Sequence, residues 1–154
     1  MNHSAIRLFE VEDYASILNV YAHSKLDELV NESASFTLLP LDRDTKRLAE
    51  LQESDIYVYE DNGIVAYGAV FESEIRALFV HSHSRGKGIG KTLFRFLLSK
   101  LSPCPINQTV TLHVAKSNDA AKALYKNFGF KVVEEFMAEY NGVDVMANKM
   151  QRTL

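Results

Sequence analysis

The chain has 154 residues, 47% of them hydrophobic and 24% charged, with three prolines, one cysteine and no tryptophan. A domain of this length buries roughly 70% of its unfolded surface, so it needs neither a disulfide nor a structural metal. The lone cysteine excludes a disulfide framework and a cysteine-based zinc site within one chain. A net charge of −3 without a basic run offers nucleic acid no foothold, and no apolar stretch reaches the roughly 18 residues of a membrane span. Met1 to Glu10 lacks the charged and apolar regions of a secretion signal. The expectation is one cytoplasmic domain, residues 1–154, with no nucleic-acid or membrane partner.

In chain order, Ile6 and Leu8 alternate with Ala5 and Arg7 as a short strand, and Tyr14, Ile17, Leu18 and Tyr21 recur at helical spacing behind Asp13 as N-cap. Asn31–Ser35 reads as loop, and Asp42 is placed to cap a second helix through Leu48 and Leu51. Ile56–Tyr59 and Ile64–Phe71 flank Asp61-Asn62-Gly63, which predicts an antiparallel hairpin, and Ile75–Val80 extends it into a meander. A glycine-rich turn opens a helix whose Leu93, Phe94, Leu97, Leu98 and Leu101 share one face, ended by Ser102-Pro103-Cys104-Pro105. Val110, Leu112 and Val114 alternate as a strand, and a helix from Asn118 to Phe128 stops at Gly129. Phe130–Phe136 and Val143–Met150 form a closing hairpin around Asn141-Gly142. The sum is an α/β (α+β) domain with a mixed sheet of about seven strands and four helices.

The most informative segment is His83-Ser84-Arg85-Gly86-Lys87-Gly88-Ile89-Gly90-Lys91-Thr92. Alternating glycines let backbone N–H groups converge on an anion, and the helix that follows adds a favourable field, so the turn is suited to phosphate. A tight strand-to-helix turn is the plainer alternative, but it has no need of three glycines beside Lys87 and Lys91. The P-loop pattern fails because its first glycine falls at Arg85 and no later strand ends in a metal-holding Asp. The dinucleotide fingerprint fails because Lys91 stands at its third glycine.

Arg85-Gly86-Lys87-Gly88-Ile89-Gly90 matches the R/Q-x-x-G-x-G/A signature of the GNAT superfamily of acetyl-CoA-dependent N-acetyltransferases. Ile75–Val80 resembles that family's fourth strand. The segment Asn118-Asp119-Ala120-Ala121-Lys122-Ala123-Leu124-Tyr125, continued by Lys126-Asn127-Phe128-Gly129-Phe130, resembles its second cofactor motif with the Y-x-x-x-G-F ending. The resemblance covers nearly the whole chain. It implies a mostly antiparallel central sheet with helices on both faces, splayed between the fourth and fifth strands.

The resemblance further implies that Arg85, Gly86, Lys87, Gly88, Ile89 and Gly90, with Lys91 nearby, hold the pyrophosphate of coenzyme A. Leu78, Phe79 and Val80 would pair with its pantetheine arm, and Asn118 would touch that arm or cap its helix, or both. Tyr125 corresponds to the general acid that protonates the departing thiolate, and a core tyrosine beside Phe128 is the alternative. Glu72 and Glu74 lie where family members place a general base, with His81 and His83 as other candidates. The His-x-His pair has no acidic or cysteine partner spaced to complete a site, so no metal is expected. Cys104, between two prolines, has no neighbouring base and reads as an incidental thiol.

The implied activity is transfer of an acetyl group from acetyl-CoA, as co-substrate, to a primary amine by direct attack. The alternatives are a non-catalytic acyl-CoA sensor and, less well matched to so short a chain, a nucleotide-hydrolysing domain. The acceptor, a small-molecule amine or a protein amino group, would be chosen by residues about Tyr21 to Leu41. Asp27, Glu28 and Glu32 in that stretch are candidates to attract a cation. Monomer and homodimer are both compatible with the sequence.

Overall fold

Two periodicities build the protein: alternation every second residue gives strands with one face on each side of a sheet, and the 3.6-residue period gives helices that cover those faces. A computed structural model describes residues 5–101 and 109–153. In chain order the elements are β1 (Ile6–Leu8), α1 (Tyr14–Ala22), α2 (Thr45–Gln52), β2 (Asp55–Glu60), β3 (Ile64–Phe71), β4 (Glu74–Val80), α3 (Ile89–Leu101), β5 (Thr109–Ala115), α4 (Asp119–Asn127), β6 (Lys131–Tyr140) and β7 (Val143–Thr153). Cys104 and its flanking prolines lie outside the described residues. Among the described residues, no helix is long and apolar enough to cross a membrane.

The strands form one seven-stranded sheet in the order β1-β2-β3-β4-β5-β7-β6. Every neighbouring pair is antiparallel except β4 with β5, which run parallel and meet as a ladder only at Glu74 opposite Thr111. The expected mixed sheet and its split between the fourth and fifth strands are therefore both present. Along β3, Ala66 and Val70 face α3, whereas Tyr67 and Ala69 face α1 and α2. Helix α3 buries Ile89, Leu93, Phe94, Leu97, Leu98 and Leu101 against one face, each contributing about 1.5–3 kcal/mol of transfer free energy. Gly68 of β3 is the place where α3 comes closest, since a Cβ there would lie 2.6 Å from Leu97 Cδ1.

Two helix starts differ from expectation. Asp13 makes no cap to α1. Its carboxylate instead accepts from the Arg7 guanidinium at 2.7 and 2.9 Å and from the Glu10 N–H at 2.8 Å. Helix α2 is capped by Asp44, which accepts from the Arg47 N–H at 3.2 Å, while Asp42 sits in a preceding 3₁₀ turn, Leu41–Arg43. Strands β6 and β7 run up to the Asn141-Gly142 turn itself, so β6 extends four residues past Phe136.

Asp13 is 7% exposed. Its hydrogen bonds from Arg7 outweigh the opposing effect of burial and hold its carboxyl below the ordinary range. A carboxyl with a lowered folded-state pKa stabilises the fold above its unfolded pKa of about 3.9, and this contribution disappears as pH falls through the folded value. Asp13→Asn is expected to cost about 1–2 kcal/mol at neutral pH. The gap to the unsubstituted protein should narrow steadily below about pH 4. Urea unfolding at the two pH values checks this, and a gap that is constant with pH would refute it.

Candidate functional site

Strand β4 makes its last bond to β3 through the His81 N–H, which donates to the Val65 carbonyl at 2.8 Å. Ser82–Ser84 then turn as a 3₁₀ helix, Arg85 is extended, and Gly86 and Gly88 take positive φ of +81° and +78°. A Cβ on either glycine would meet nothing within 4 Å, so both are required for backbone conformation and not for space. The first bond into α3 is Thr92 N–H to the Gly88 carbonyl at 3.0 Å. The amides of Ile89, Gly90 and Lys91 precede it and have no helical carbonyl to donate to. This is a set of free donors at the positive end of a helix, and it suits an anionic group.

The cations at this turn differ in role. Arg85 is exposed but held on both sides, donating to the Val80 carbonyl at 3.0 and 3.2 Å and pairing with Asp27 at 2.7 Å. Its guanidinium thus ties the turn to the end of β4 and to the segment after α1. Lys87 is exposed and 4.0 Å from Asp61, and Lys91 is exposed without an ion pair among the described residues.

The antiparallel register fixes which backbone groups of β4 are free. Val65 and His81 form a hydrogen-bonded pair, so Tyr67 opposite Phe79 is one too, and the backbone groups of Leu78 and Val80 point away from β3. They point into the gap left by the divergence of β5. A cleft of about 750 Å³ occupies this region, with Glu74, Leu78, Phe79, Leu112, His113 and Tyr125 in its walls.

Asn118 caps α4, its side-chain oxygen accepting from the Ala121 N–H at 3.3 Å. Seven residues on, Tyr125 sets its ring 5.1 Å from that of Phe94 and lines the cleft. Loss of hydration, followed by the Glu28 carboxylate and Tyr140, pushes the Tyr125 hydroxyl well above the usual phenol range. It is a protonated donor at every physiological pH. The two glutamates are separated by the structure. Glu72 is exposed in the β3–β4 turn with φ +53°, away from the cleft walls, whereas Glu74 stands in them. Glu74 accepts from Arg76 Nε at 3.1 Å and lies 3.8 Å from His113 Nδ1.

His81 and His83 turn towards each other and to His23, whose ring stacks on that of His81 at 4.4 Å. The His83 N–H donates to His81 Nδ1 at 3.1 Å, and burial lowers the His81 pKa. Among the described residues no three His, Cys, Asp or Glu side chains converge as metal ligands.

One cleft residue has no counterpart in the sequence reading. Lys25 is 2% exposed, its ammonium paired with Glu28 and faced by the rings of Tyr140, Phe79 and Tyr21 at 4.8, 5.7 and 5.9 Å. Burial pushes its pKa down, and the Glu28 carboxylate opposes this. The signal was available as spacing: Lys25 is four residues after Tyr21 and three before Glu28.

Replacing Tyr125 by Phe should leave the tyrosinate absorbance of the native protein unchanged up to about pH 11. Spectrophotometric titration checks this. Loss of an ionising step below that pH would place the hydroxyl in water.

The sequence profile of the acetyltransferase (GNAT) domain matches residues 26–153. A curated protein of Bacillus subtilis subsp. natto (strain BEST195), named "Probable spermine N(1)-acetyltransferase", is 31% identical over 72 residues. That match spans 47% of this chain and 46% of the relative, under half of each. A GCN5-related N-acetyltransferase from Rhodopseudomonas palustris superposes with TM-score 0.79 at 17% identity, over 100% of this chain and 98% of its own. A GNAT superfamily phosphinothricin acetyltransferase from Sinorhizobium meliloti, solved in complex with acetyl-CoA, gives TM-score 0.71 at 18% identity, over 97% and 87%. A profile match over most of the chain, joined to a split sheet and a glycine turn in the same order, establishes that the chain belongs to the GNAT acetyltransferase family.

Proposed function

We propose that residues 1–154 form a single-domain N-acetyltransferase that carries an acetyl group from acetyl-CoA to a primary amine by direct attack. The observation that carries this reading is the divergence of β4 from β5 after one ladder position, which leaves the Leu78 backbone groups facing a cleft. The residues present suit acetyl-CoA. The amides of Gly86 to Lys91 would hold the pyrophosphate, with Lys87 and Lys91 adding charge. Leu78 and the Val80 N–H would pair along the pantetheine arm in the manner of a strand, the Phe79 backbone being bonded to Tyr67 of β3 instead, and Asn118 would stand near the arm while capping α4.

When bound, acetyl-CoA supplies a thioester activated toward amines. Glu74 takes the proton from the acceptor ammonium, directly or through water, so that the neutral amine attacks. The Leu78 N–H is placed to donate to an oxygen on which negative charge develops. Tyr125, in the cleft wall, gives its phenolic proton to the departing sulfur. Glu72, outside the cleft walls, has no part in these steps.

Isothermal titration should show acetyl-CoA binding, and release of free thiol in the presence of an amine panel should show turnover. Binding without thiol release would make the protein an acyl-CoA sensor, and no binding would end the proposal. Tyr125→Phe is expected to lower kcat about 10²-fold with little change in cofactor affinity. An unchanged rate removes Tyr125 from the mechanism.

Glu74→Gln should lower kcat/KM at neutral pH by about 10²-fold. Activity should then climb with pH toward the amine's own pKa of about 10, where no base is needed. Glu72→Gln should leave the pH profile unchanged. If the two substitutions behave alike, Glu74 is not the base.

A further inference from the structure

The three carboxylates of the 21–41 segment, the candidates to attract a cationic acceptor, are all engaged within the protein. Asp27 pairs with Arg85 at 2.7 Å, Glu28 with Lys25, and Glu32 accepts from the Ser117 hydroxyl. The charged side chains in the cleft walls are five basic and four acidic among the described residues, so the cleft carries no excess of carboxylate. Two of those acids are also paired within the protein, Asp44 with Arg47 at 3.3 Å and Glu74 with Arg76 at 3.1 Å.

The Lys25 ammonium lies among three aromatic rings with a carboxylate beside it. An ammonium ligand is recognised by this same combination, since the ring faces are negative and the carboxylate completes the charge. Here the chain supplies the ammonium itself. The cage also lies near the proposed chemistry: Phe79 is in β4, and the Glu28 carboxylate is close enough to raise the Tyr125 hydroxyl. Tyr21 and Phe79 pack on the α1–α2 face of the sheet, opposite the α3 face that follows the glycine turn. The buried Tyr21 hydroxyl beside the cage has no hydrogen-bond partner among the described residues.

We propose that Lys25 is a specificity-determining residue: by filling the aromatic cage with the chain's own ammonium, it closes that subsite to a second cationic group and directs the cleft to monoamine acceptors over polyamines. The inference rests on the transferase reading in taking the α1–α2 side of the cleft as the acceptor side. A monoamine needs one place for its nitrogen, near Glu74. A polyamine needs further anionic or aromatic places for its other charges, and Lys25 holds the best of them. Specificity then comes from an element that rejects one class of ligand as much as from contacts that favour another.

The test is calorimetric titration of spermine and butylamine into the intact protein and into Lys25→Met and Lys25→Arg, with circular dichroism and thermal melting to confirm folding. Lys25→Met keeps the length of the side chain but takes its ammonium out of the cage and leaves Glu28 without its partner, and should tighten spermine binding by about tenfold while changing butylamine much less. Lys25→Arg keeps a cation in the cage and should behave like the unsubstituted protein. Unchanged spermine binding in a folded Lys25→Met protein overturns the proposal. If that variant does not fold, the unsubstituted protein decides alone: spermine bound or acetylated better than butylamine overturns the proposal, and the reverse order supports it. Because binding is read directly, a gain of spermine affinity in Lys25→Met without acetylation of any amine would uphold the role of Lys25 and sink the transferase reading.

Discussion

Strands β4 and β5 meet as a ladder only where Glu74 faces Thr111, and beyond that point they diverge. Parallel neighbours normally continue to exchange bonds, because an unpaired backbone amide or carbonyl shut away from water costs about 1–3 kcal/mol. Here the cost is avoided by leaving a cleft between the strands instead of a dry contact. Arg85 satisfies the Val80 carbonyl from the side, so the strand end is tied down without a sheet neighbour. The glycine turn, the cleft and the placement of Tyr125 and Glu74 all depend on this one divergence. Closing it would bring the α1–α2 half and the α4 half of the protein together and leave no interior surface for a ligand.

The electrostatics of the cleft follow from where charges are spent. A chain of net charge −3 holds a slightly basic set of side chains around its cavity, because the carboxylates of the segment after α1 serve to anchor it. Asp27 holds the glycine turn through Arg85, and Glu32 reaches Ser117, just before the cap of α4. One short segment therefore fastens the starts of the two helices that bracket the proposed cofactor path. Its acidity is structural in effect, whatever it suggests as a string of letters.

Much of this was legible in the sequence because it depends on local chemistry. Alternation identified the meander from Ile56 to Val80, Asn-Gly identified its turn, and the positive φ of Gly86, Gly88 and Gly129 matches what those positions demanded. Capping was less legible. Asp13, Asp42 and Asp44 look equivalent along the chain, and which of them meets a helix amide was decided by Arg7 arriving from β1 and by the 3₁₀ turn at Leu41–Arg43. The burial of Lys25 is hidden in the sequence for a related reason. A lysine beside acidic residues ordinarily reads as solvated, and only the arrival of Phe79 and Tyr140 from distant strands turns it into a buried cation. Glu72 and Glu74 differ by two positions and would share a face on an unbroken strand, but the turn ends between them.

An opening in the middle of a sheet is also an edge, and edges invite other chains. Backbone groups of Leu78 and the Val80 N–H, turned away from β3, would serve a stray peptide as well as any ligand, which is the usual route from exposed strand to aggregate. The geometry refuses such a guest. The gap narrows to a closed ladder position at Glu74, Tyr125 and Phe79 crowd its walls, and the Arg85 guanidinium already occupies the Val80 carbonyl. A polypeptide with side chains on both faces needs a slot open along its length, whereas a slender, unbranched chain can enter a wedge from its wide end. The split sheet thus acts as a filter on thickness, so the protein carries an unpaired interior edge without the liability that such edges bring.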